Sequence, residues 1–308
     1  MTQKHTVRLS LKALGLFLAL FSPFSLQAHT IGITQIVDHP SLNAIREGIL
    51  AQLTAEGFEE GKNLEIIFEN AQGNPSIATQ IAQKFAGLPL DVVVPITTPS
   101  AQSVVQHIKK TPIVFAAISD PAGAKLVGEN ITGVADTPPI AKQLDFIQKH
   151  LPHLKTLGTV YNPGEANSES FLKELHILAR ARKIKIIEAP APKSADVQTA
   201  ARYLMGQVDA IFISNDNTVV SGLEPLVKTC LEAKTPLFVS DPDSVDRGAL
   251  AAYAYDQREM GHQVGKIVAK VLRGETPKSM PVETPTGHKI YVNDKTAKTL
   301  NFHIAREN

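Results

Sequence analysis

The sequence predicts an α/β protein with two similar lobes, each built around a parallel β-sheet. Short apolar runs alternate with longer amphipathic helical patterns along most of the chain. These runs are continuous, as expected for parallel strands that are covered on both faces. The chain also contains nearly the same strand and turn twice, as TPIVFAAISDP at 111–121 and TPLFVSDP at 235–242. Together the three observations favour two lobes of one design.

The bulk composition agrees with a soluble globular protein. A chain of 308 residues allows one large domain or two of ordinary size. Apolar residues make up 43% and charged residues 20%, which is enough for a sizeable core. The net charge of +1 gives no indication of nucleic-acid binding. The single cysteine, Cys230, excludes an internal disulfide and a cysteine-based metal cluster.

The first 28 residues have the pattern of a secretory signal. Lys4, Arg8 and Lys12 precede the apolar run ALGLFLALF at 13–21, and a break at Pro23 and the segment SLQA at 25–28 follow. This order of charged, apolar and small segments predicts an export signal, with cleavage after Ala28. The run is too short to span a membrane as a mature helix, although an uncleaved anchor is the alternative.

The mature chain is expected to be free and soluble in a Gram-negative periplasm. Removal of residues 1–28 takes away three cations and no acid, which leaves 28 Lys and Arg against 30 Asp and Glu, a formal charge of −2. No cysteine lies near the cleavage site, so we do not expect a lipoprotein.

The first half of the mature chain alternates strands and helices. Ser41 is a suitable N-cap for the first helix, and Gly57 is a suitable stop. The predicted strands cover 30–37, 63–71, 91–97 and 112–118, and the predicted helices cover 41–57, 75–87 and 100–110.

The second half repeats this order. The predicted strands cover 156–161, 184–191, 208–214 and 236–240, and the predicted helices cover 168–183, 195–206 and 222–234. LDVVVPITTPSAQSVV at 90–105 aligns with VDAIFISNDNTVVSG at 208–222, at an offset near that of the repeated strand and turn. Chance is the alternative explanation, because all buried parallel strands are rich in Val and Ile.

The last elements predict that the chain returns between the lobes. A strand over 248–256, a helix over 257–274, an extended segment over 280–293 and a helix over 294–301 follow. We expect two similar Rossmann-like lobes joined by several hinge strands, with a ligand cleft between them. Lobe 1 then comprises residues 29–135 and 249–279, and lobe 2 comprises residues 136–248 and 280–308.

Small hydrogen-bonding residues follow nearly every predicted strand. Ligands of parallel α/β sheets bind beyond the carboxyl ends of the strands, and two facing lobes would direct both sets of strand ends into one cleft. The candidate ligand contacts are therefore Thr34, Gln35, His39, Thr97, Thr98, Ser100, Ser119, Asp120, Asn162, Glu165, Asn167, Ser168, Asn215, Asp216, Asn217, Thr218, Ser240 and Asp241.

The character of these residues suggests a ligand with two charged ends. TPSAQS at 98–103 and EANSES at 165–170 begin helices, where free N–H groups favour an anion such as a carboxylate. Either Asp216 or Asp241 could pair with an ammonium group. The combination describes an amino acid, while N-capping and turn formation are the alternative roles. The motifs GxGxxG, GxSxG and HExxH are absent, so we expect neither an enzyme nor a cofactor.

Several longer stretches carry a family resemblance. YNPGEANSES at 161–170, SNDNTVVSGLEPLV at 214–227 and the segment 243–275 around GALAAYAYD resemble an ABC-transporter substrate-binding protein family, and so do 33–48 and 116–127. This family is typified by tryptophan- and tyrosine-binding proteins, and the resemblance covers essentially the whole mature chain. Many members are lipoproteins, and this chain departs from them by lacking the lipid cysteine.

The resemblance implies a type I periplasmic-binding fold with three hinge crossings. It implies an aromatic amino acid as the ligand and a membrane permease with its ATPase as the partner. With no Trp in the chain, Tyr253, Tyr255 and Phe115 are the candidates for an aromatic wall, although core packing suits Phe115 better. By motif, the implied ligand contacts are Glu165, Asn167, Ser168, Asp216, Asn217 and Thr218, with Gln35, Thr98 and Ser100 closing the cleft from the other lobe.

The sequence therefore predicts a monomeric periplasmic solute-binding protein that closes on a small ligand and docks on a permease. The first alternative is a periplasmic ligand sensor of the same fold. The second is a two-lobed α/β enzyme, which would need a general base or a cofactor loop in the cleft.

Overall fold

The computed structural model describes Thr2, residues 28–285 and residues 287–305. The predicted signal peptide, residues 1–28, lies outside the described residues except for Thr2 and Ala28. In the described part of the chain, no helix is long and apolar enough to cross a membrane.

The first lobe contains a five-stranded parallel sheet in the order β2-β1-β3-β4-β5. Continuous apolar runs form its central strands, and all five residues of β3 are buried. Its strands are β1 His29–Gln35, β2 Leu64–Asn70, β3 Val92–Ile96, β4 Ile113–Ile118 and β5 Ile131–Ala135, and its first helices are α1 Pro40–Ala55, α2 Pro75–Ala86 and α3 Thr98–His107.

The second lobe contains a six-stranded sheet in the order β11-β10-β9-β8-β6-β7. All pairs are parallel except β10 with β11. The strands are β6 Thr156–Tyr161, β7 Lys185–Pro190, β8 Ala210–Phe212, β9 Leu237–Val239, β10 Ala251–Ala254 and β11 Lys289–Val292. The helices are α4 Ile140–His150, α5 Ala166–Ala181, α6 Val197–Leu204, α7 Asn217–Ser221, α8 Leu223–Glu232, α9 Pro242–Asp246, α10 Gln257–Leu272 and α11 Asp294–Leu300, of which α10 packs on the first lobe.

The chain passes three times between the two sheets within the described residues. It crosses after β5 and again between β10 and α10. The third crossing lies between Glu283, which pairs with Val134 of β5, and the strand β11. The predicted lobe boundary at residue 249 differs from this path, because β10 pairs with β9 in the second sheet. An apolar strand of this kind fits either sheet, and only its pairing partner decides between them.

Four elements of the structure were not expected from the sequence. The run that forms β5 is short and contains Gly133 at φ 151°, so it does not resemble a regular strand. The helix α4 follows it directly, and the helices α7 and α9 have only five residues each. These two short helices begin at Asn217 and Pro242, in the segments that directly follow two of the predicted strands.

Close contact between α1 and α10 depends on glycine. A β-carbon at Gly261 would lie 2.2 Å from the carbonyl oxygen of Ile45, and one at Gly48 would lie 2.3 Å from that of Arg258. The two helix backbones therefore touch where no side chain fits. This contact attaches the C-terminal part of the chain to the first lobe.

We expect Gly261→Ala to lower the free energy of unfolding by about 1–3 kcal/mol, because the added methyl group must push two backbones apart. Gly87→Ala is the matched control, since its β-carbon would meet nothing nearer than the carbonyl oxygen of Lys84 at 3.6 Å. Urea denaturation of both variants measures the effect. Equal stability of the two variants would contradict the proposed role of this contact.

Candidate ligand-binding site

A cavity lies between the lobes, at the carboxyl ends of both sets of parallel strands. Both lobes and the crossing segments contribute to its lining, which consists of His39, Ser41, Leu42, Ile45, Thr97, Thr98, Ala117, Ser119, Asp136, Asn167, Asn215, Asn217, Val220, Asp241 and Gln257.

The start of α3 forms one polar side of the cavity. Thr97 turns the chain out of β3 with φ 73°, and Thr98 and Pro99 form the first helical turn. The hydroxyl groups of Thr97, Thr98 and Ser100 are buried and have no hydrogen-bond partner. Free N–H groups and the helix dipole make such a helix start suitable for a carboxylate.

Asp241 forms a second polar side of the cavity, contributed by the second lobe. Its Oδ1 caps α9 by accepting a hydrogen bond from the Ser244 N–H at 2.8 Å, and it accepts a second one from the hydroxyl of Ser41 at 2.8 Å. Ser41 belongs to α1 of the first lobe, so this bond joins the lobes. The other oxygen, Oδ2, is buried without a partner.

A second carboxyl group, that of Asp136, lies in the cavity at the end of β5. The amide of Asn215 donates a hydrogen bond to it at 2.5 Å. Burial, and to a smaller degree repulsion from Asp241, raises the pKa of Asp136 to about 7. The cavity therefore contains two carboxyl groups, and a positively charged ligand group would relieve the cost of ionising both.

Six lining residues have a buried polar atom without a partner. Native structures leave few such atoms unpaired, because each costs about 1–3 kcal/mol. The atoms are His39 Nδ1, Thr97 Oγ1, Thr98 Oγ1, Asn167 Oδ1, Asn215 Oδ1 and Asp241 Oδ2. Their concentration in one cavity indicates a site for a polar ligand.

The remaining wall of the cavity is aliphatic. Leu42 and Ile45 of α1 face it together with Ala117 and Val220. The three aromatic candidates from the sequence lie elsewhere: Phe115 is in the core of the first lobe, and Tyr253 and Tyr255 pack on His288 at ring distances of 5.0 and 3.8 Å. A ligand ring would thus contact aliphatic side chains.

The nine contacts implied by the resemblance and Asp241 make ten predicted site residues, and the structure brings four of them into the lining of the cavity. These are Thr98, Asn167, Asn217 and Asp241. The other six, which lie behind or beside the lining, are Gln35, Ser100, Glu165, Ser168, Asp216 and Thr218.

Glu165 stabilises the start of α7. Its carboxylate accepts hydrogen bonds from the N–H groups of Asn217 and Thr218 at 3.1 and 2.9 Å, and from their side chains at 2.6 and 2.7 Å. The amide of Asn167 adds a fifth donor at 3.2 Å. Glu165 therefore acts on the cavity through Asn217 and Asn167.

Asp216 is also fully engaged by the protein. Its carboxyl group accepts hydrogen bonds from the Asn162 N–H at 2.6 Å, the Ser168 hydroxyl at 2.6 Å and the Val219 N–H at 2.9 Å. Burial, followed by repulsion from Glu165, raises the pKa of Asp216 to about 7. This geometry favours Asp241 over Asp216 as the partner of an ammonium group.

Gln35 points towards α1 instead of the cavity. Its amide donates to Asn43 and to the carbonyl of Val37, and its oxygen accepts from Arg46 at 3.0 Å. The ten predicted site residues do not include Ser41, Asp136 or Gln257. Asp136 follows an irregular strand, and Ser41 and Gln257 occupy first turns of helices, where a role in the helix is the simpler expectation.

We expect Asp136→Asn to flatten the pH dependence of stability in the ligand-free protein. Between about pH 4 and 7 the folded state keeps a proton on Asp136 that the unfolded state has released, so this carboxyl group lowers stability as pH rises through that range. The variant should therefore gain stability over the wild type as pH rises, and the gain should level off above pH 7. Urea denaturation at pH 5 and pH 8 measures the difference. An equal difference in stability between the variant and the wild type at both pH values would contradict this prediction.

Comparison with known families matches residues 30–307 to the ABC transporter substrate binding protein family. The chain is 34% identical over 278 residues to the tyrosine-binding protein of Clostridioides difficile strain R20291, and the match covers 88% of this chain and 81% of that protein.

Two solved structures of similar sequence identity differ in how closely their folds match this chain. The ABC domain from Streptococcus pneumoniae in complex with L-Trp has a TM-score of 0.87 at 32% identity, and the match covers 91% of this chain and 96% of that one. The ligand-free, open structure of a substrate-binding protein with adhesive properties from Clostridium difficile has a TM-score of only 0.68 at 34% identity, with coverage of 90% and 96%.

The arrangement of the lobes therefore matches the tryptophan complex more closely than the open structure. Direct bonds between the lobes agree with this, since Ser41 reaches Asp241 and the Ser170 hydroxyl donates to Asp120 at 3.0 Å.

Proposed function

Because this chain belongs to the ABC transporter substrate-binding protein family, we propose that it binds an amino acid with an aromatic side chain between its lobes and delivers it to a membrane permease. The observation that carries this proposal is the group of buried, unpartnered polar atoms around the interlobe cavity. Binding favours closure because a ligand contacts both lobes only when the cleft is shut.

The two polar sides of the cavity match the two charged groups of an amino acid. The start of α3, with Thr97 and Thr98, suits the carboxylate, whereas Asp241 and Asp136 suit the ammonium group. The aliphatic wall then receives the side chain. The names of two relatives, a tyrosine-binding protein and a complex with L-Trp, support an aromatic ligand.

The proposal includes an exported protein. The pattern of residues 1–28 supports secretion to the periplasm. The partner is then a membrane permease with its ATPase, and the protein acts as a monomer without catalysis. Deletion of the gene should reduce uptake of the labelled ligand by intact cells, and normal uptake would contradict delivery.

A thermal-shift screen of residues 29–308 against the amino acids tests the binding function. We expect Trp or Tyr at about 100 times the dissociation constant to stabilise the folded state by about 2.7 kcal/mol, which raises Tm by about 5 °C. A shift with an unrelated solute alone would contradict the aromatic ligand while supporting a binding function. No shift with any amino acid would contradict the proposal.

A further inference from the structure

The first residues of α1 reach from the first lobe into the second. Ser41 donates its hydroxyl hydrogen to Asp241, and the side chain of Asn217 lies beside the imidazole of His39, where it favours the protonated ring. His39 is 6% exposed and lines the cavity. The closed cleft thus encloses His39 between Asn217 and Asp241.

Glu165 determines which hydrogen bond Asn217 can make to His39. A carboxylate only accepts hydrogen bonds, so the Asn217 amide turns its Nδ2 towards Glu165, at 2.6 Å. The amide oxygen is then left facing the imidazole, whose N–H can donate to it. Nδ1 of His39 has no partner, so the donating nitrogen is Nε2. In a neutral ring this leaves Nδ1 as an acceptor.

The ring of His39 is neutral near pH 7. Burial lowers the pKa of His39 to about 4, and the positive charge of Arg247 acts in the same direction. The negative charges of Asp241 and Asp38 raise the pKa of His39, but by less than burial lowers it.

Two buried acceptors therefore remain unpaired in the same cavity. They are His39 Nδ1, from the first lobe, and Asp241 Oδ2, from the second. Within the described residues no direct hydrogen bond or ion pair joins His39 to Asp241, although their charges interact. A group that carries several donors and a positive charge can pair with both.

We propose that His39 is a specificity-determining residue, which accepts a hydrogen bond from the ligand's ammonium group through Nδ1 while Asp241 binds the same group through Oδ2. The inference rests on the proposed function, because it assigns the ammonium group of the amino acid bound there. Glu165 and Asn217 are positioning residues that aim the acceptor. A ligand without the ammonium group leaves both acceptors buried and unpaired, and is rejected for that reason.

Two substitutions of His39 separate its nitrogens. His39→Gln keeps a donor near Nε2 and removes the acceptor at Nδ1, whereas His39→Asn keeps an acceptor near Nδ1 and loses the bond to Asn217. Calorimetric titration with L-tryptophan and L-tyrosine should show a loss of about 10- to 100-fold in affinity for His39→Gln, on the scale of a hydrogen bond to a charged group. His39→Asn should recover most of this loss. The Tm of each ligand-free variant checks that it folds.

Nitrogen NMR of the imidazole provides a second measurement that needs no variant. In the wild-type protein with either amino acid bound, we expect a neutral ring with its proton on Nε2 at pH 7. Any one of three results would overturn the assignment of His39. These are a proton on Nδ1, wild-type affinity in His39→Gln, or an equal loss of affinity in the two variants. If the wild-type protein binds amino acids in these cases, the proposed function stands. If it binds neither amino acid, the proposed function fails and the ammonium site fails with it.

Discussion

Replacing Asp241 with asparagine is expected to weaken amino-acid binding by about 10²- to 10³-fold, on the scale measured for the loss of one partner from a buried charged pair. The carboxylate is 3% exposed, and its Oδ2 is free to accept a hydrogen bond in the cavity. Asparagine keeps the shape and can still cap α9, so the substitution removes mainly the negative charge. Calorimetric titration with L-tryptophan measures the loss.

Asp216→Asn is the matched control for this substitution. Both acids are buried N-caps that follow a strand, and the sequence alone leaves either as the partner of an ammonium group. The three donors around Asp216 come from the protein, so its substitution should lower Tm but change affinity less than about threefold. A larger loss of affinity in Asp216→Asn than in Asp241→Asn would refute the assignment.

Glu165→Ala is expected to lower the free energy of unfolding by at least about 3 kcal/mol. Five donors from three residues converge on this buried carboxylate, and alanine leaves them without a partner. The start of α7 then loses its position, so affinity should fall as well, because Asn217 lines the cavity.

Glu174→Ala is the control, because Glu174 is exposed on α5, the helix that begins directly after Glu165, and it should change stability by less than about 0.5 kcal/mol. Urea denaturation and a thermal scan of both variants measure the difference. A Glu165→Ala protein with wild-type stability would contradict the role of this residue in holding α7.

The alternation of elements was readable from the sequence because burial imposes a simple pattern. The strands β3 and β4 are recognisable since both faces of a parallel sheet are covered, so every residue of Val92–Ile96 and Ile113–Ile118 is apolar. The short helices α7 and α9 were not recognisable, because five residues are too few to show a period.

The candidate site was only partly readable. The rule that ligands bind beyond strand ends led to eight residues that line the cavity, namely His39, Thr97, Thr98, Ser119, Asn167, Asn215, Asn217 and Asp241. The rule could not distinguish residues that line the cavity from a residue such as Glu165, which holds the start of α7. Helix capping and ligand binding select the same polar residue types at the same positions.

By itself, the sequence determined the α/β class, the two-lobed repeat and the family resemblance, because these depend on patterns along the chain. Only the tertiary structure decided that β10 joins the second sheet. It also decided that Asp216 accepts hydrogen bonds from Ser168 and two backbone N–H groups, whereas Asp241 keeps an oxygen without a partner. The physical reason is that the hydrogen-bonding capacity of a buried side chain is set by neighbours distant in the chain, such as Ser41 for Asp241.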